Sequence, residues 1–216
     1  MPNVVENEEE RDNIEPEGAR GLERVNGFSD AVFAVAITLL ILTVIVPEVS
    51  DVGQLRQELV DMWPKFFGFL LSFVIIGAFW MGHHAIFGYL RRYTRGLLWI
   101  NLLLLMFIVL LPFSTDLMSE YNGSELTVVF YDLNMIAVTL ALSLLWWYVS
   151  YRNRLVDESL HPAVRRHLLL NYLSMSLVFG VSAAIALVNI PASQYIYLAL
   201  IPSGMFLGHK VRRDTA

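Results

Sequence analysis

Five stretches of this chain, roughly 28–46, 65–89, 97–115, 127–149 and 167–190, are apolar over a length that can cross a lipid bilayer. A crossing helix needs about 20 predominantly apolar residues, within a range of ~17–25. A sixth stretch, 193–208, is shorter but has no charge until Lys210. Lipid offers backbone groups no water, so a spanning segment must be a helix or part of a closed barrel. None of these runs alternates with period two, which excludes a barrel. The expectation is an all-α membrane protein with six transmembrane helices.

Composition supports this. AVILMFWYC residues make up 56% of the 216 residues and charged residues only 16%, where about 25% is usual in soluble domains. That balance excludes a disordered chain and a nucleic-acid binder. With no cysteine, disulfide scaffolds and thiolate chemistry are also excluded. The net charge of −5 is concentrated at one end. Residues 1–23 hold eight acids and two basic residues, and the remainder carries +1. Residues 1–23 therefore read as an acidic, disordered tail. The first apolar run follows this tail rather than a basic start, so it reads as a retained membrane helix and not a signal peptide.

Pro47, Pro64 and Pro191 punctuate the apolar runs. Segment 50–62 opens with cap-type residues and places Leu55, Leu59 and Met62 at helical spacing. It reads as a short surface helix between the first two spans. In a six-span arrangement, 13 of the 15 Lys and Arg fall on the side of the two termini, and only Arg56 and Lys65 on the other. The positive-inside rule then places both termini in the cytoplasm of a multi-pass cell-membrane protein.

Ionisable groups within a bilayer are costly and mark a pathway or a paired network. Asp30 lies six residues beyond Arg24 in the first span, His83 eight before Arg91 in the second, and Asn101 six beyond Arg95 in the third. At ~1.5 Å per residue all three sit about 9–12 Å inside the cytoplasmic edge. Trp80 lies one turn from His83 on the same face. The spacing favours a polar network that fixes the first helix against the next two. Asp30 is expected to pair with His83, Asn101 or Arg24.

Within the first span, Val35, Thr38 and Leu42 form one stripe bordered by Leu39, while Val32 and Ile41 fall on other faces. Such a stripe is commonly a helix–helix seam. It also suits a pore lining, with apolar rings and a hydroxyl ring. The residues alone leave both readings open. The chain has no TVGYG filter, no phosphate-binding or dinucleotide glycine motif, and no hydrolase or metalloprotease motif. Nothing in it proposes an enzyme, a cofactor or a resident metal.

Residues 24–30 read RVNGFSD, an RxxxFSD pattern at the mouth of the first span. Phe79-Trp80-Met81-Gly82-His83 reads FWxxH, and Asn101-Leu102 is followed by Leu111-Pro112-Phe113. These motifs, in this order, resemble the transmembrane protein 175 family of potassium channels over residues 20–210. The resemblance implies a potassium-selective channel without a pore-loop filter, assembled as a homotetramer, with the first helix lining a central pore. It implies pore positions at Val35, Thr38, Leu39 and Leu42, with only permeating potassium as metal. Arg24, Phe28, Ser29, Asp30, Trp80, His83 and Asn101 would brace the pore helix. The implied organisation is a cytoplasmic tail over 1–23, a six-helix channel domain over 24–209 and a short basic tail over 210–216. Two alternatives remain: a proton-coupled transporter with Asp30 and His83 as relay, or a non-conducting membrane scaffold.

Overall fold

The computed structural model describes residues 17–48, 51–121, 123–151, 155–156 and 160–197. Among these, every regular element is helical, with a single isolated bridge between Leu90 and Val156. Helix α1 runs Glu17–Leu39 and tightens into a 3-10 turn over Leu40–Thr43. It is followed by α2 (Val52–Asp61), α3 (Trp63–Gly88), α4 (Arg95–Glu120), α5 (Glu125–Ser150), α6 (Pro162–Ala186) and α7 (Ile190–Ile196). Five of these segments are long and apolar enough to cross a membrane: α1 with its 3-10 turn, α3, α4, α5 and α6. The sixth expected run, 193–208, is described only to residue 197, and the basic tail 210–216 lies outside the described residues.

Local chemistry sets the helix ends. Asp51 caps α2 by accepting from the Gly53 amide, and Thr94 caps α4 by accepting from Leu97. Pro64 and Pro162 occupy first-turn positions, where the missing N–H costs nothing. The α4–α5 turn places Gly123 at φ +96°, a conformation that disfavours a side chain. Pro112 lies inside α4, beside hydroxyls of Ser114 and Thr115 that donate back to Leu110 and Leu111 carbonyls. The surface helix expected over 50–62 is α2.

Two features depart from the sequence reading. Helix α1 begins at Glu17, so residues 17–23 are helical and not part of a disordered tail; residues 1–16 lie outside the described residues. The physical reason is packing: Leu22 and Val25 rest against the core, and the Tyr93 ring lies over Gly21. The 3-10 turn is the second departure. It carries about three residues per turn, so side chains three apart eclipse one another. Leu40 and Thr43 accordingly both turn into the core, and Ile41 and Leu42 between them are 50% and 68% exposed.

Helices α4, α5 and α6 pack in sequence order, with α3 against α4, and α1 lies across α3 and α4. Trp146, Tyr131, Leu104, Ile108 and Ile76 are fully buried at the centre. Helix α1 joins this core through Phe33, Ala36 and Leu40. Its opposite side is left open.

Candidate functional site: the braced first helix

One side of α1 is bolted to its neighbours by a buried chain of hydrogen bonds. The Ser29 hydroxyl donates to the Val25 carbonyl at 2.9 Å, within α1. Its oxygen then accepts from Asn101 Nδ2, on α4, at 2.8 Å. With the amide nitrogen so used, Asn101 Oδ1 is the acceptor that faces His83 Nε2, on α3, at 2.9 Å. His83 must therefore carry its proton on Nε2, which donates to Asn101. All three side chains are buried. The imidazole stacks on Phe87 at 4.3 Å between ring centroids and lies 5.5 Å from Phe33. Its Nδ1 is buried with no hydrogen-bond partner. Three helices thus share one polar layer, at the common depth that residue spacing predicts.

Asp30 is served separately. Its Oδ1 accepts from Trp80 Nε1 at 2.8 Å and its Oδ2 from Asn26 Nδ2 at 3.3 Å. This corrects the expected pairing with His83, Asn101 or Arg24. Ser29 and Asp30 are successive residues, about 100° apart around α1. Ser29 faces α4 and the buried layer, whereas Asp30 faces the flank of α3, where Trp80 lies one turn before His83. Arg24 and Phe28 are exposed on α1. The Asp30–His83 relay of the transporter alternative has no hydrogen bond between its two members; each is committed to other partners.

The other side of α1 is left uncovered by the described residues. Val35 is 54% exposed and Leu42 68%, and Thr38 and Leu39 are also exposed. Below them, Ala31 and Ala34 keep the face narrow and exposed. Along this face the Thr38 hydroxyl donates to the Val35 carbonyl at 2.9 Å. Its hydrogen is thereby turned into the helix, and its oxygen lone pairs are turned outward. An outward oxygen without an outward hydrogen is an acceptor for a cation. The structure thus brings Ser29, His83 and Asn101 together, joins Asp30 to Trp80, and aligns Val35, Thr38, Leu39 and Leu42 on an open face. Among the described residues no cluster of metal-ligating side chains occurs.

Sequence reasoning passed over one buried acid. Asp132, on α5, is fully buried. The signal was available: it is the lone acid in the run 127–149.

The chain is similar to known proteins. The family described as endosomal/lysosomal potassium channel TMEM175 matches residues 24–112, which hold most of α1, the brace and most of α4. A potassium channel of Streptomyces collinus is 36% identical over 172 residues, covering 78% of this chain and 84% of its own. A potassium channel of Chamaesiphon minutus is 36% identical over 141 residues, covering 62% of this chain and 69% of its own. The crystal structure of a lysosomal potassium-selective channel TMEM175 homolog from Chamaesiphon minutus superposes with a TM-score of 0.77. It is 26% identical and covers 87% of this chain and 97% of that one. The extent and identity of these matches place the chain in one group: it belongs to the TMEM175 family.

Proposed function

We propose that this chain is the subunit of a potassium-selective channel in which ions pass along the open face of α1. The observation that carries this reading is the asymmetry of α1. A bilayer-length helix is held on one side by the Ser29–Asn101–His83 chain and the Asp30–Trp80 bond. Its opposite side leaves Val35, Thr38, Leu39 and Leu42 exposed among the described residues. The relatives named as potassium channels support the same reading.

Four subunits around an axis would turn that face into a central pore, with 24–209 as the channel domain of six spans. Four Val35 side chains would form an apolar collar in which a bare ion is expensive. Thr38, about 4.5 Å further along the helix, would place four outward oxygens beside the collar. Potassium sheds water more readily than sodium, so a narrow collar next to a hydroxyl ring discriminates by partial dehydration. Both termini are assigned to the cytoplasm from the distribution of Lys and Arg. The partners are potassium ions, the lipid bilayer of a cell membrane and further copies of this chain.

Planar-bilayer recording of the purified chain under potassium/sodium bi-ionic conditions tests the function. A reversal potential that follows the potassium gradient supports it. A flux that requires a pH gradient, or no flux, rejects it.

A further inference from the structure

Helix α5 carries a carboxylic acid with no part in the proposed conduction path. Asp132 lies seven residues into α5 from Glu125, about 10 Å along the axis. This is the end of the bundle away from the Ser29–His83–Asn101 layer. The residue is 0% exposed. Its Oδ1 accepts from the Tyr197 hydroxyl, just beyond α7, at 2.9 Å. Its Oδ2 is buried with no hydrogen-bond partner. The Ser182 hydroxyl of α6 lies beside the same carboxyl and donates to the Ser193 carbonyl of α7 at 3.3 Å. Tyr197 is itself buried, with its ring between Tyr131 at 5.8 Å and Phe179 at 6.1 Å.

The remaining described groups around Asp132 carry no positive charge. Tyr131, its neighbour on α5, points its hydroxyl to Ser72 at 3.2 Å. From α6 and α7 the facing polar groups are Ser182, Ser193 and Tyr197, and no described cationic side chain acts on the carboxyl. A carboxylate removed from water without a paired cation is strongly disfavoured. A neutral carboxyl fits the same surroundings. Its Oδ1 keeps the Tyr197 bond, and a proton on Oδ2 removes the charge that no described group there compensates.

We propose that Asp132 is a proton-binding site that clamps the segment 190–197 onto α5 and α6. With the proton bound, Tyr197 and Ser193 stay docked. When the proton leaves to solvent, the carboxylate must be hydrated, and loosening Tyr197 and α7 from α5 and α6 admits the water. Proton activity at that end of the bundle then sets how tightly the segment is held. This clamp does not depend on ions passing along α1, and its readout involves no current, so its failure leaves the conduction reading standing.

The absence of native cysteines makes a direct test available. Ser193 is 0% exposed and Ala192, next to it, is exposed. Full-length chains with Ser193→Cys or Ala192→Cys are labelled in detergent with a neutral thiol reagent. The ratio of the two rates cancels the pH dependence of the thiol itself. Between about pH 5 and about pH 9 the ratio should rise roughly tenfold or more, and should stay flat when Asp132→Asn is added, since the amide is neutral throughout. A flat ratio with Asp132 present overturns the clamp. So does a rise that persists with Asp132→Asn, or a ratio that follows potassium or sodium concentration at fixed pH. If Asp132→Asn does not accumulate, amide hydrogen exchange of 190–197 in the unsubstituted chain, referenced to α5, decides. Protection that falls with pH supports the clamp and constant protection overturns it.

Discussion

The Trp80 indole of α3 donates to the Asp30 carboxylate of α1 at 2.8 Å, one turn of α3 away from the histidine that closes the buried chain to Ser29. Two successive residues of α1 therefore grip two different features of the neighbouring helices. Together they fix both the height and the rotation of α1, and so decide which residues its open face presents.

Loss of the outer grip should weaken assembly before it alters permeation. Asp30→Ala leaves the indole N–H without its charged acceptor, and Trp80→Phe leaves the carboxylate without its best donor. A hydrogen bond to a charged group is worth about 1.5–3 kcal/mol. Both variants should lower the yield of assembled oligomer in size-exclusion chromatography, while the surviving channels keep their reversal potential. Assembly at unaltered yield with conduction lost would transfer Asp30 from bracing to permeation.

The inner chain predicts a larger effect from a smaller change. Asn101→Ala deprives the His83 Nε2–H of its acceptor and the Ser29 oxygen of its donor, both in a buried layer. An unsatisfied buried group costs about 1–3 kcal/mol, and here two arise. For a chain of this size, each kcal/mol corresponds to roughly 2–4 °C in Tm. A thermal melt in detergent should shift down by roughly 4 °C or more. An unshifted melt would mean that the chain carries no stability.

The sequence disclosed the depth of this layer but not its partners. Counting from Arg24, Arg91 and Arg95 sets how far along each helix a polar residue lies, because every residue advances a helix by a fixed rise. Which side of one helix meets which side of another depends on how three helices rotate against each other. One sequence holds no such angle, so Asp30 was expected with His83 and Asn101 while Trp80 and Asn26 hold it. The tightened turn is a different case. The β-branched residues Ile41, Thr43, Val44, Ile45 and Val46 before Pro47 were a local sign that α1 would not end regularly. Asp132 was legible as a lone acid in an apolar run, but its partner Tyr197 is 65 residues away in the chain.

Substitutions on the open face should act on ions and leave the fold alone. Val35→Asn replaces an apolar collar with amides, and it should raise conductance and reduce the preference for potassium over sodium. Thr38→Ala removes the outward oxygen, and it should reduce that preference without closing the pore. Thr38→Ser retains an oxygen at the same height and should keep most of it. Bi-ionic reversal potentials of the three variants check this. Unchanged reversal potentials in well-assembled Val35→Asn and Thr38→Ala channels would remove these residues from the pathway.

Whether the open face of α1 lines the ion path is tested most directly by single cysteines in this cysteine-free chain, placed at 32, 35, 38, 41 and 42 and exposed to a permeant thiol-reactive cation during recording. Val35→Cys, Thr38→Cys and Leu42→Cys should be blocked, and Ile41→Cys with them, because Ile41 is 50% exposed in the turn that continues α1. Val32→Cys, half-buried against the core, should carry unmodified current. Block at 32 with none at 35 and 38 would contradict a pore lined by this face.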